Sequence, residues 1–100
     1  MEIEYSREFI KNAKLLTGKL RESLQQVIME VKNATDVHQL SDCKRLKGFK
    51  SIYRIRLGDS RVFFQFHVKI ANGKVFFILI SNRGQAYSKE MEKKLRNLDI

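Results

Sequence analysis

Residues 53–70 read Tyr53-Arg54-Ile55-Arg56-Leu57-Gly58-Asp59-Ser60-Arg61-Val62-Phe63-Phe64-Gln65-Phe66-His67-Val68-Lys69-Ile70, and their period decides the fold. Tyr53, Ile55 and Leu57 alternate with Arg54 and Arg56. Val62, Phe64, Phe66, Val68 and Ile70 then alternate with Arg61, Phe63, Gln65, His67 and Lys69. A period of two is that of a strand with one buried face, because successive side chains point to opposite sides of a sheet. Gly58-Asp59-Ser60 turns the chain between the runs, so the two strands form a tight hairpin. Asn72-Gly73 suits the positive φ angles of a second hairpin turn. Residues 75–81 return as a third strand, apolar on both faces and therefore central or covered on both sides.

Upstream the period changes. Glu2, Ile3, Glu4 and Tyr5 alternate as a short strand, and Ser6 is placed to cap a helix over 7–16 with Phe9, Ile10, Ala13 and Leu16 on one stripe. After Gly18, Leu20, Leu24, Val27, Ile28 and Val31 recur at helical spacing. These two helices form a hairpin with one apolar side. Asp36 starts a single helical turn ending near Ser41. Asn82-Arg83-Gly84 breaks the third strand, and Ser88 caps a last helix, Lys89–Leu98, whose narrow stripe of Met91, Leu95 and Leu98 predicts a light anchor. Strands joined by short turns run antiparallel. The expected fold is therefore α+β: an N-terminal strand and a helical hairpin packed on a small antiparallel sheet, with a C-terminal helix, all in one domain over 1–100.

One hundred residues, 43% hydrophobic, are enough for one core and too few for a multidomain enzyme. Residues 1–43 carry six basic and seven acidic side chains, whereas 44–100 carry fourteen and four. A positive field confined to the second half makes nucleic acid the first partner to consider and an acidic protein the second. Cys43 is the only cysteine, so an intrachain disulfide is excluded and a reducing cytoplasm fits. No signal peptide or membrane span is expected, the longest apolar run being strand-sized.

The strand alternation also sorts the charges. Arg54 and Arg56 face away from the helical hairpin, and Arg61, Gln65, His67 and Lys69 lie opposite the apolar row of their own strand. Lys44, Arg45, Lys47 and Lys50 precede the hairpin and Arg83 follows the third strand, extending one basic face that fits nucleic acid. Phe63, on that face, is a candidate for stacking on a base, while Phe64, Phe66, Phe76 and Phe77 are core. His38, Cys43 and His67 do not make a four-ligand site, so no metal is expected, and no phosphate-binding glycine loop implies a nucleotide cofactor. Cys43 is best read as a core residue.

The run Leu46-Lys47-Gly48 to Tyr53-Arg54-Ile55-Arg56-Leu57-Gly58-Asp59-Ser60-Arg61-Val62-Phe63-Phe64, followed by Ile78-Leu79-Ile80-Ser81-Asn82-Arg83 and Tyr87, resembles the RelE/ParE superfamily of bacterial toxins. The resemblance implies a toxin of a type II toxin–antitoxin system with a cognate acidic antitoxin. In the RelE-like branch it implies ribosome-dependent cleavage of mRNA in the A site; in the ParE-like branch it implies inhibition of DNA gyrase without nuclease activity. Carried over residue by residue, the RelE-like site comprises Arg61, Arg83 and Tyr87 as catalytic residues with Arg54 and Arg56 binding RNA; Lys47 and Lys50 of the basic cluster are expected to bind RNA beside them.

Such a site works without a metal or cofactor. The RNA's own 2′-hydroxyl attacks, so the site must remove its proton, stabilise the phosphorane and support the leaving 5′-oxygen. Arg61 and Arg83 suit the phosphate, which planar guanidiniums bind bidentately, and Tyr87 suits a base or the 2′-hydroxyl. Arg54 and Arg56 stand where the RelE pattern has lysines. Arginine keeps its proton near neutrality, so the general base is open; His67 and Tyr87 are the alternatives, as is catalysis by positioning and charge alone.

Overall fold

The computed structural model describes residues 1–67, 73–82 and 88–99, His67 by its backbone only. The expectations placed on the His67 imidazole and on Val68, Lys69, Ile70, Asn72, Arg83, Gly84 and Tyr87 lie outside the described residues. In chain order the elements are β1 (Glu2–Tyr5), α1 (Arg7–Lys14), α2 (Gly18–Asn33), a 3-10 turn (Val37–Gln39), β2 (Cys43–Arg45), β3 (Ile52–Leu57), β4 (Ser60–His67), β5 (Lys74–Asn82) and α3 (Lys89–Leu98). No helix among the described residues is long and apolar enough to cross a membrane.

Five strands form one sheet in the order β1-β5-β4-β3-β2. The meander β2 to β5 is antiparallel, as its short turns require, but β1 pairs with β5 in parallel. The sheet is thus mixed, correcting the antiparallel expectation. β1 reaches its partner through two helices and three strands, so the chain has ample length to return in the same direction. β5 is the inner strand that its two-sided apolar sequence predicts. Gly58 and Asp59 alone join β3 to β4, and Gly58 takes φ 58°, the positive angle that the first position of a II′ turn requires.

Ser6 ends β1 and starts α1. Its Oγ accepts from the Phe9 amide at 2.9 Å and donates to the Ile78 carbonyl, fastening the cap to the middle of β5. Phe9 then stacks on Phe77 with ring centroids 5.0 Å apart, and Phe77 meets Phe64 edge-on at 6.0 Å. Leu24 and Val31 of α2, with Ala34, Val37 and Leu40 after it, close the same core over Ile55, Leu57, Val62 and Val75. This is the sheet face that the helical hairpin covers.

The second face carries a smaller core that the sequence does not announce. Ile78 is an extra residue in β5, lying between the partners of Phe63 and Phe64. A bulge of this kind lets consecutive residues share a face, and Ile78 and Leu79 both join Phe49, Ile52, Phe63 and Leu95. Met91, Leu95 and Leu98, the stripe of α3, lie on this patch. The last helix is more than lightly anchored. Asp99, just past its end, accepts from the amides of Lys50 and Ser51, both at 2.8 Å, and from the Ser51 hydroxyl at 2.7 Å.

Partial burial pushes the Asp99 carboxyl up, but the Lys50 amide, the Ser51 hydroxyl and amide and the Lys50 charge outweigh it, leaving Asp99 below the usual carboxylate value. A depressed folded-state value stabilises the fold above the unfolded carboxyl's pKa, and that stabilisation is lost as pH falls through the folded value. Asp99→Ala should therefore cost about 1–2 kcal/mol at neutral pH, from the loss of charged hydrogen bonds at a part-exposed site. Urea denaturation of parent and variant, repeated in acid, should show the difference shrinking as pH drops.

Candidate nucleic-acid interface

α3 covers only part of the second face, and the basic residues occupy what it leaves. Along β3, Ile52 is buried, Arg54 half-buried and Arg56 exposed. Cross-strand register sets the neighbours. Lys44 of β2 pairs with Arg54 and Arg54 with Phe63, while Arg56 pairs with Arg61 and Arg61 with Ser81. Directly opposed residues share a face, so Lys44, Arg54, Arg56 and Arg61 form one bank on the side away from the helical hairpin. Beside it Asp42, Cys43, Lys44, Arg54 and Arg56 line an open pocket of about 230 Å³.

Arg61 is not an open clamp. It is 8% exposed, and its Nη1 donates to the carbonyls of Gly58 at 3.2 Å and Ser60 at 3.0 Å. Its buried Nε has no hydrogen-bond partner among the described residues. A buried donor left unpaired costs about 1–3 kcal/mol, so an anion that reached it would fill a vacant bond. Arg61 therefore braces the β3–β4 turn while keeping donor capacity next to Arg56.

Lys47 and Lys50 are exposed on the β2–β3 loop. That loop is held in shape: the Leu46 amide donates to the Ile52 carbonyl at 2.9 Å, and the Phe49 amide to the Leu46 carbonyl at 3.1 Å. Arg96 of α3 lies over the Phe49 ring, 4.4 Å from its centroid, and donates to the Gly48 carbonyl at 3.0 Å. Both lysines thus stand on a loop braced by α3, next to the covered half of the sheet.

Two residues of the expected polar face have other work. Phe63 faces the same side as Arg54 but is fully buried under α3, so it is core and not a base-stacking surface. Gln65 is also buried, its Nε2 donating to the Leu98 carbonyl and, at 3.1 Å, to Ser51 Oγ. Cys43 packs against the first core as expected. Burial pushes its thiol up to about 11, with Arg54 pulling the other way and Glu30 adding to the rise, so the thiolate is scarce near neutrality. No group of three or more His, Cys, Asp or Glu suited to a metal occurs among the described residues.

The sequence reading did not foresee β2. Three residues, two of them charged, carry no alternation, yet the strand sets Lys44 beside Arg54. Asp42 and Asp99 also went unnoticed, and no local pattern marks either.

No family model matches the chain. Toxin RelE3 of Methanocaldococcus jannaschii is 26% identical over 88 residues, which are 87% of this chain and 96% of that protein. A RelB–RelE antitoxin–toxin complex from Methanococcus jannaschii contains a chain that matches with a TM-score of 0.69 and 24% identity, over 83% of this chain and 93% of that one. A mutant of the E. coli toxin RelE in the free state matches with a TM-score of 0.70 and 19% identity, over 99% and 97%. Along most of its length the chain is thus similar in sequence to a RelE toxin, and its α+β fold of three helices and a mixed sheet matches those of RelE structures.

Proposed function

We propose that the chain is the toxin of a toxin–antitoxin pair and that it inhibits translation by cutting mRNA in the ribosomal A site. The observation that carries this reading is the bank of Lys44, Arg54, Arg56 and Arg61 on the half of the second sheet face that α3 leaves open. Cations gathered on one surface bind a phosphodiester chain, and the buried Nε of Arg61, unpaired among the described residues, would bond a phosphate oxygen that reached it. Arg83 and Tyr87 complete the proposed site on the strength of the resemblance. Arginines serve here by holding the phosphate and stabilising the charge that builds on it.

The proposed protein partner is an acidic antitoxin. Two solved relatives are complexes of RelE with RelB. On this chain the helical hairpin offers an open groove of about 280 Å³ lined by Tyr5, Ile10, Ile28, Lys14 and Arg21 among others. Apolar walls with a basic rim suit an amphipathic helix bearing carboxylates.

The test is in vitro translation with purified protein and mapping of mRNA 5′ ends. New ends at A-site codons support the nuclease. Undiminished translation with inhibited supercoiling would instead assign the chain to gyrase. Binding to ribosomes or RNA should also be steeply salt-dependent. With about four phosphate contacts, affinity should fall about 50-fold between 50 and 200 mM salt, and a filter-binding titration that shows no fall would remove the phosphate contacts.

A further inference from the structure

We propose that Asp42 is the general base of the cleavage, taking the proton from the attacking 2′-hydroxyl; this rests on the nuclease reading above. Among the described residues, Asp42 contributes the one carboxylate to the pocket that Cys43, Lys44, Arg54 and Arg56 also line. Cys43 pairs with Ile55, so Asp42 comes next in register, and the Arg56 amide donates to the Asp42 carbonyl at 3.4 Å. Arg56 in turn faces Arg61. Asp42, Arg56 and Arg61 therefore form a row across three neighbouring chain segments. Strand spacing puts its ends about 10 Å apart. That span takes one nucleotide linkage, with its phosphate on the arginines and its 2′-oxygen toward Asp42.

Of the other pocket groups, Arg54, Arg56 and Cys43 are poorly suited to accept this proton. Arginine holds its proton throughout the working pH range, so Arg54 and Arg56 stabilise charge. The Cys43 thiol is held in its protonated form by burial and belongs to the opposite core. The Asp42 side chain is exposed, and its carboxylate takes part in no ion pair among the described residues. Its backbone has φ 52°, the one positive value at a non-glycine residue among those described. Aspartate and asparagine both enter this region at small cost because their short polar side chains bond locally. Glycine would relieve the angle altogether but would bring no carboxylate to the pocket.

In the step proposed, the 2′-O–H bond breaks and its proton passes to Asp42 as the 2′-oxygen bonds to phosphorus. The bond from phosphorus to the 5′-oxygen breaks, and the leaving oxygen takes a proton from water. Asp42 then returns its proton to solvent. The products are a 2′,3′-cyclic phosphate and a 5′-hydroxyl end.

Single-turnover cleavage of mRNA on programmed ribosomes tests the assignment with Asp42→Asn, which keeps the size and the tolerance for positive φ, and Asp42→Gly, which removes the angular strain. Both variants should cut at least about 10²-fold more slowly than the parent, the usual contribution of a positioned base, while binding ribosomes equally tightly and melting no lower. An Asp42→Asn protein that cuts at the parental rate overturns the proposal and leaves the nuclease reading standing, as does a slow variant whose defect disappears at saturating ribosome concentration. A parent that yields no A-site cleavage overturns both.

Discussion

Arg61→Ala protein should cut A-site mRNA at least about 10²-fold more slowly than the parent, the effect of removing one preorganised donor from a developing phosphorane. It should also lose about 1 kcal/mol of stability. The two effects have separate origins in one side chain. Nη1 is committed to the carbonyls of Gly58 and Ser60, and those bonds hold the two-residue turn. Nε remains unpaired among the described residues, and Arg56 is the cross-strand neighbour in register. Truncation frees the turn carbonyls to water, which limits the stability loss, but nothing replaces the donor proposed for the phosphate. Arg61→Lys separates the two roles further. An ammonium keeps the charge but lacks the planar fork that serves carbonyls and a phosphate together, so the rate should fall about tenfold or more. Cleavage kinetics read beside urea melts give the split. Should Arg61→Ala cut at the parental rate, Arg61 is a turn brace only, and phosphate binding rests on Arg54 and Arg56. For Arg83 the resemblance alone supports the same proposed rate effect.

The hairpin of β3 and β4 was legible because one face of each strand is apolar, which makes a period of two unambiguous. Ser6 was legible too, since a hydroxyl just before an amphipathic stripe has few other uses. The parallel pairing of β1 was not, because direction depends on how the chain returns over a long excursion and not on the strand's own residues. β2 escaped notice because an edge strand of three residues needs no apolar face. For the candidate site, alternation assigned Arg54, Arg56 and Arg61 to one face, and register agrees. It could not tell how that face is covered. The stripe of α3 was visible, but its destination depends on the bulge at Ile78, which brings two consecutive apolar residues to one side. Phe63 and Gln65 thus went to the right face and the wrong environment.

Phe63→Ala is the substitution that exposes this difference most clearly, with an expected cost of about 3–5 kcal/mol, the range for emptying a buried aromatic site. Phe63 is fully buried, in one cluster with Ile52, Leu79 and Leu95. Its ring is part of the surface on which α3 rests. Taking it away leaves a cavity between the sheet and a helix whose end is held by Asp99 and Gln65, so the helix should loosen along with the Lys47 and Lys50 loop that it braces. At about 4–8 °C per kcal/mol for a domain of this size, Tm should drop by more than about 10 °C. A base-stacking Phe63 predicts the reverse: an intact fold, an unchanged melt and weakened RNA binding. Thermal melts of Phe63→Ala, with the exposed Lys93→Ala as a control within about 0.5 kcal/mol of the parent, decide between them. A large loss of stability that spares the helical hairpin in hydrogen exchange would locate the damage in the second core, where the covered half of the sheet supports the open, basic half.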